Sequence, residues 1–317
     1  MTGLSLVKLE APSVDYWDAL TANVSRLPLT QSWAYAEAMA SARGWLPDYY
    51  ELQDANDQGL GGCVIQRRHL GFRQAIRIER GPFFHEPPDA GIQKAALGKL
   101  HAITKPGWLD QRRFYPALTD TPENAASVRE VGFCAIDPGY HTIWLDLAVP
   151  LPKRRRHLRQ NWRYALNKAE QSTIEIVVEN STEHLSWLIA HHVNDMRRRR
   201  YIGPSAALLM KLGELTAARD EYRLIRAMYL GKPIAGGLFI RHGRSATYLV
   251  GWSGKLGRRY NAQHAILWQA LVTLADDGCH DLDLGGLNPE RAPGVTYFKR
   301  GLLTPRDEEQ TAVATCR

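Results

Sequence analysis

The residues best suited to chemistry lie in one run, Leu282–Leu302, LDLGGLNPERAPGVTYFKRGL. It ends an apolar segment, passes through Gly285-Gly286, and sets Tyr297, Phe298, Lys299 and Arg300 beside Gly301. Glycines permit turns and close backbone approach to a ligand. A lysine on such a turn suits an electrophile or a proton carrier. A free lysine, with a pKa of about 10.4, starts as a cation at neutral pH, which fits charge stabilisation and proton delivery. Asp281 and Asp283 could orient that lysine or satisfy turn amides, and the turn role is favoured.

Other chemistries fail on spacing. Gly251-Trp252-Ser253-Gly254 departs from G-x-S-x-G because Lys255 stands where the last glycine belongs. Gly251–Arg258 lacks the Gly-Lys-Ser/Thr of a phosphate loop. His191-His192 and the scattered acids have no metal-ligand spacing, so a structural role and no metal are expected. The Q/R-x-x-G-x-G/A loop that cradles the pyrophosphate of acyl-CoA has no clean copy, and Arg68–Arg73 matches it only in part. Tyr248, Trp252, Tyr260, Tyr297 and Phe298 could stack on a sugar, a base or an adenosine end. Tyr248 suits the core equally well. Trp252, at a strand end, is the better ligand-facing candidate.

A basic segment gives the second signal. From Leu147 to Ala169 there is no acid, while Lys153, Arg154, Arg155, Arg156, Arg159, Arg163 and Lys168 accumulate. The pattern reads as a helix after Pro152. Leu158, Trp162, Ala165, Leu166 and Ala169 form its buried stripe, and Arg155, Arg159 and Arg163 form a row on another face. Like charges at that spacing repel, and a polyanion would compensate them. The bland alternative is a solvated basic helix paired with acids elsewhere. Arg197–Arg200 is a second basic run, followed by Tyr201. Four consecutive arginines on a helix point in all directions and cannot all meet one ligand, so at least one is expected to reach a pocket while the others are solvated or paired.

The elements that must position these residues form a weak internal repeat. Gly61–Arg68 and Gln74–Arg80 read as a hairpin, followed by a helix near Asp89–Thr104 and a strand at Trp108–Phe114. Ile234–Arg241 and Ser245–Trp252 read as a second hairpin, followed by a helix near Asn261–Asp277 and a strand at Asp281–Leu284. In the second helix Ala262, Ile266, Ala270 and Leu274 fall on one stripe, widened by Leu267 and Leu271. Asn261 is placed to cap its start and Gly278 to end it. The join between the halves falls near Pro150–Pro152, giving domains 1–150 and 151–302.

With 317 residues, 44% hydrophobic and 23% charged, the chain has room for two domains with real cores. The net charge of +7 favours phosphate-bearing partners once it is clustered, as it is here. Cys63, Cys134, Cys279 and Cys316 are far apart, without a C-x-x-C pair, which suits reduced thiols in the cytoplasm. The N-terminus is not a secretory signal and no apolar run reaches membrane-spanning length. Peripheral membrane contact stays compatible with the sequence, and a monomer is expected.

Hairpin, helix and strand in this order resemble the core of GNAT acyltransferases, whose central strands splay around the acyl donor's carbonyl. Two such units in tandem, each a mixed twisted sheet flanked by helices in an α+β chain, resemble the FemABX family of aminoacyl-tRNA-dependent peptidyltransferases. Phe298-Lys299 matches the pair near the end of that family's second domain. Arg159, Arg163, Lys168 and Ala169 match its basic helix R-x-x-x-R-x-x-x-x-K-A. Gln31-Ser32-Trp33 resembles its early Q-[ST]-x-x-W segment, with Trp33 two positions early.

The resemblance implies that 303–317 returns to the first domain and that Lys299 is catalytic. Phe298, Arg200, Tyr201, Trp252, Tyr248 and Trp33 would bind substrate. Arg155, Arg159, Arg163 and Lys168 would bind RNA. Aminoacyl-tRNA would be the co-substrate, with no other cofactor. The acceptor would be an amine, on a nucleotide- or lipid-linked peptidoglycan precursor or a small secondary metabolite. An N-acyltransferase using acyl-CoA or an acyl carrier is the alternative, and a non-catalytic nucleic-acid-binding protein is a third class.

Overall fold

A computed structural model describes residues 3–317. The chain divides into two compact units, 1–142 with 310–317, and 143–309. The division falls between Thr142 and Ile143, within the strand His141–Asp146 and ahead of the Pro150–Pro152 join.

The first unit begins with β1 (Ser5–Leu9), α1 (Val14–Thr21), α2 (Trp33–Arg43) and β2 (Leu46–Gln53). β3 (Gly59–Leu70) and β4 (Arg73–Glu79) form the expected hairpin, and β5 (Phe83–Phe84) pairs with β3. α3 (Ala90–Ile103) crosses to β6 (Gln111–Tyr115), which lies parallel to β4; α4 (Pro122–Glu130) and β7 (Ala135–Asp137) follow. β6 starts later than expected, leaving Trp108 exposed in the preceding loop. Both faces of the sheet are covered, as the alternation along β3 shows. Cys63 and Ile65 join a cluster with Leu97 and Phe114, while Val64 joins another with Trp17 and Phe83.

The second unit starts within β8 (His141–Asp146) and continues through α5 (Leu151–His157), α6 (Gln160–Glu170), β9 (Glu175–Glu179), α7 (Leu185–Arg199) and α8 (Ala206–Ala217). β10 (Tyr222–Tyr229), β11 (Lys232–His242) and β12 (Ser245–Ser253) make an antiparallel meander. α9 (Lys255–Arg259) and α10 (Ala262–Asp276) lead to β13 (Asp281–Asp283), parallel to β12, and then to α11 (Pro293–Arg300). β14 (Glu308–Thr311) and β15 (Thr315–Cys316) end the chain, with β15 between β6 and β7 in the first unit's sheet. The order of the second sheet is β14-β8-β13-β12-β11-β10-β9. Each half therefore carries an antiparallel hairpin, a crossover helix and a parallel strand. The stripe Ala262, Ile266, Leu267, Ala270, Leu271 and Leu274 is buried against Phe239, Trp162 and Leu166. Asn261 precedes that helix in a left-handed conformation and makes no side-chain cap.

The basic segment is not one helix. Leu158 and Arg159 adopt extended backbone angles between α5 and α6. The break lets Leu158 enter the core, and Arg159 N–H donates to Gly301 O at 3.1 Å. Upstream, the fully buried Arg154 makes paired bonds to Asp307 at 2.8 and 3.0 Å and also reaches Leu302 O and Asp146 O. These bonds moor α5 to the turn that follows α11. The row Arg155–Arg159–Arg163 is thereby dissolved. No helix among the described residues is long and apolar enough to cross a membrane.

Candidate active site

Lys299 sits in the last turn of α11, not on a turn as its sequence context suggests, and is only 7% exposed. Pro293 at the first helical position starts α11. Gly301 follows it, and a Cβ there would lie 2.4 Å from the indole of Trp162, so glycine lets the helix end close onto that ring. The Lys299 ammonium donates to Gly285 O at 3.2 Å and Gly286 O at 3.0 Å. Gly285 has φ +73, and a Cβ there would come within 2.9 Å of Tyr248 O. The glycine pair therefore shapes the acceptor side of the lysine's hydrogen bonds. Burial lowers the Lys299 pKa to about 8, against an opposing pull from the Asp283 carboxylate. Asp283 is itself fully buried and accepts from Gly285 N–H at 2.8 Å, so it serves the turn and the lysine together.

Two backbone irregularities converge here. β12 pairs with β13 only over Ser245–Thr247 against Asp281–Asp283, and β12 then runs on to Ser253 without it. The strands part at the point where the Gly285-Gly286 turn begins. A register shift in the β11–β12 pairing also falls beside Tyr248, between Leu238 and Phe239. Bulges of this kind re-aim side chains and free backbone groups. The Lys299 ammonium lies 5.9 Å from the Tyr248 ring centre, a cation–π approach. The Tyr248 hydroxyl accepts from Gln263 at 2.7 Å, its ring stacks on Phe239 at 5.0 Å, and burial raises its pKa. Lys299, Asp283, Tyr248 and the two glycines thus form one constellation at the parting of two strands. Such a geometry can hold a carbonyl in the gap and present a proton donor to it.

The remaining sequence candidates are distributed more widely. Phe298 is half-buried in the core of its unit, stacked on Trp162 at 6.0 Å and edge-on to His264 at 4.8 Å. Trp252 stacks on His191 at 3.7 Å and meets Trp187 edge-on at 5.5 Å, on the α7 side of β12. Arg200 closes α7 in a left-handed conformation rather than lying within the helix. Tyr201 reaches His192 Nδ1 at 3.4 Å, and His192 Nε2 lies 3.0 Å from Pro204 O. Trp33 starts α2 in the first unit, packed against the Trp17 cluster. Its neighbour Gln31 is buried, accepting from Val64 N–H and donating to Glu79 O, which gives the Gln-Ser pair a structural reason.

Among the RNA candidates, Arg155 is bound by Glu170 and Asn167. Arg163 donates to Arg156 O at 3.3 Å, and Lys168 lies in the last turn of α6. Arg159 covers the Tyr297 ring at 4.3 Å. The partial pyrophosphate motif at Arg68–Arg73 is the tip of the β3–β4 hairpin, joining two strands rather than a strand and a helix.

Residues 152–300 match the family model described as an acetyltransferase (GNAT) domain. The crystal structure of FemX superposes with a TM-score of 0.78 at 11% identity, covering 98% of this chain and 96% of that one. The fold is the tandem GNAT fold of FemX. A tandem GNAT protein from the clavulanic acid biosynthesis pathway shares it at TM-score 0.57 and 12% identity, over 99% of this chain and 97% of that one. The L-PGS structure from Bacillus licheniformis shares it at TM-score 0.56 and 13% identity, over 96% and 92%. No curated protein matches the sequence. Within the tandem GNAT fold, the Lys299 constellation occupies the second unit, between its parallel strand β13 and the helix that follows.

Proposed function

We propose that this protein is an aminoacyltransferase that moves an amino acid from aminoacyl-tRNA to an amine. The observation that carries the proposal is the buried Lys299 ammonium beside the parting of β12 and β13. The donor is already an activated ester, so the chain needs neither a nucleophile of its own nor a metal. The acceptor nitrogen attacks the ester carbonyl, a tetrahedral oxyanion forms, and its collapse breaks the bond to the ribose oxygen. Lys299, with a pKa near the operating pH, stabilises the oxyanion and passes its proton to the departing ribose oxygen. The amine's own proton leaves to solvent or to a phosphate of the substrate.

The full-length likeness to FemX supports this reading, with the FemABX resemblance of Phe298-Lys299. The acceptor we propose is a peptidoglycan precursor stem peptide or a small secondary metabolite, used by a cytoplasmic monomer that can touch the membrane surface. A second reading, N-acylation from acyl-CoA, is favoured by the acetyltransferase description of the matching family. Against it, the residues between β12 and α10, Gly254–Asn261, hold no Q/R-x-x-G-x-G/A match.

The deciding experiment supplies labelled aminoacyl-tRNAs or labelled acetyl-CoA with a panel of amines, including peptidoglycan precursors. RNase-sensitive transfer from tRNA, lost in Lys299→Ala while tRNA binding persists, is the expected result. Transfer only from acetyl-CoA would replace the proposal by the second reading.

A further inference from the structure

One end of the first unit's sheet carries apolar side chains that the chain itself does not cover. β3 and β4 are joined by the two-residue loop Gly71-Phe72, where Gly71, with φ +66, supplies the left-handed turn. β4 and β6 run parallel, with Ala75 opposite Gln111, so the hairpin tip and the loop 104–110 lie at the same end of the sheet. Asp110 ties them together: it accepts from Gln74 N–H at 2.7 Å and from Gly107 N–H at 3.0 Å. Arg67 adds a further tie, donating to Ile103 O at 3.2 Å. On these two segments Phe72 is 87% exposed and Trp108 97%, the two most exposed aromatic rings among the described residues. Leu70, Ile103 and Leu109 are exposed with them. Single exposed apolar residues need no explanation, but five gathered on two tethered segments do. The same segments hold Arg68, His69, Arg73 and Lys105, and Asp110 is the one acid among residues 68–74 and 103–110. That acid is engaged by backbone amides, and Arg68, Arg73 and Lys105 have no acid partner among the described residues.

We propose that this end of the first unit is a docking surface for an anionic lipid bilayer. The inference rests on the membrane contact in the reading above and not on which donor is used. Phe72 and Trp108 enter the interfacial layer, where aromatic rings gather at headgroup level. Leu70 and Leu109 follow them toward the acyl chains, and Arg68, Arg73 and Lys105 meet lipid phosphates. The aliphatic side chains separate a bilayer from nucleic acid. A base stacks on Phe72 or Trp108, but Leu70, Ile103 and Leu109 offer it no ring. Charge selects the lipid: three cations with no acid partner match an anionic leaflet and gain little from a zwitterionic one.

The test is co-sedimentation of the full chain with vesicles of phosphatidylglycerol and phosphatidylcholine in equal parts, against vesicles of phosphatidylcholine alone. The wild type should bind the anionic vesicles at least about tenfold more tightly than the neutral ones. Arg68→Gln with Arg73→Gln removes two cations, each worth a factor of about five, so affinity should fall roughly 25-fold. Phe72→Ser with Trp108→Ser should weaken binding by at least about tenfold while Tm stays level, because both rings are exposed in the folded chain. Trp108→Phe should keep binding yet lose most of the vesicle-induced blue shift in tryptophan emission, which picks out the inserted ring among the nine tryptophans. Absence of wild-type binding to anionic vesicles, or binding unchanged in both double variants, would overturn the docking surface. Binding of a single-stranded RNA that is lost in Phe72→Ser with Trp108→Ser, while vesicle binding persists, would assign this end to nucleic acid and also overturn it. RNase-sensitive transfer to a water-soluble acceptor should be unaffected by these substitutions, so failure of the docking surface and failure of the donor reading are told apart.

Discussion

The ammonium of Lys299 is held 3.0 Å from the carbonyl oxygen of Gly286, inside the protein and with Asp283 near enough to raise its proton affinity. Burial still wins, and the pKa falls to about 8. If the protonated form is the catalyst, kcat/KM should decline as pH rises through about 8. Lys299→Met should reduce turnover by at least about 10²-fold. A pH–rate profile flat from 7 to 9.5 would remove the acid role.

The same shift has a stability consequence of known sign. The folded pKa lies below the unfolded value, so the unfolded chain binds more protons between about 8 and 10.5, and stability rises with pH across that window. Lys299→Met should therefore be more stable than the wild type at pH 7, by up to roughly 3 kcal/mol. Urea titrations at pH 7 and pH 10 would show the gain shrinking at the higher pH.

His264 offers a second titration. Its ring is packed against Trp162 and Phe298, and burial depresses its pKa to about 4. The ring must fold neutral, so stability should fall as pH drops from about 6.5 toward 4 and level off below that. His264→Asn should flatten that part of the Tm–pH curve. An identical curve in the variant would assign the effect elsewhere.

Arg154 and Asp307 are both essentially inaccessible and bonded through two oxygens. Asp307→Ala leaves a buried guanidinium without its counter-charge and should cost about 3–5 kcal/mol. Replacing both partners by apolar residues should cost less than the single change. Chemical denaturation of the two variants compares them directly, and equal losses would contradict the pairing argument.

At Gly285 two constraints coincide, a φ of +73 and a 2.9 Å approach to Tyr248 O. Gly285→Ala should destabilise by about 1–2 kcal/mol. It should also displace the carbonyl that orients Lys299, so activity should fall by more than stability does. The comparison is kcat at a temperature well below both melting points.

Much of this frame was legible because its signals are local. The four-residue stripe of α10 and the paired hairpins announce themselves over short windows, and so does the repeat they form. The break at Leu158 was not, because apolar spacing runs smoothly through it; its causes, Asp307 and Gly301, lie far along the chain. The burial of Lys299 was equally silent, since its partners are backbone carbonyls that carry no side-chain signature. Arg155 looked like a free cation until Glu170, fifteen positions on, was found to bind it. The strands β1 and β2 and the helices α7 and α8 left no reading beyond His191-His192 and the basic run in α7.

β15 follows the whole second unit along the chain, yet it lies between β6 and β7 in the first unit's sheet. During synthesis, the partners of Cys316, Phe114 and Ala135, must wait with open edges while all of the second unit emerges from the ribosome. The first unit is thus completed only after the second, and a ribosome stalled before residue 310 would expose an unfinished sheet edge to quality control. An attempt to express residues 1–142 alone would meet the same open edge, whereas a circular permutant that joins 310–317 to the first unit would close it.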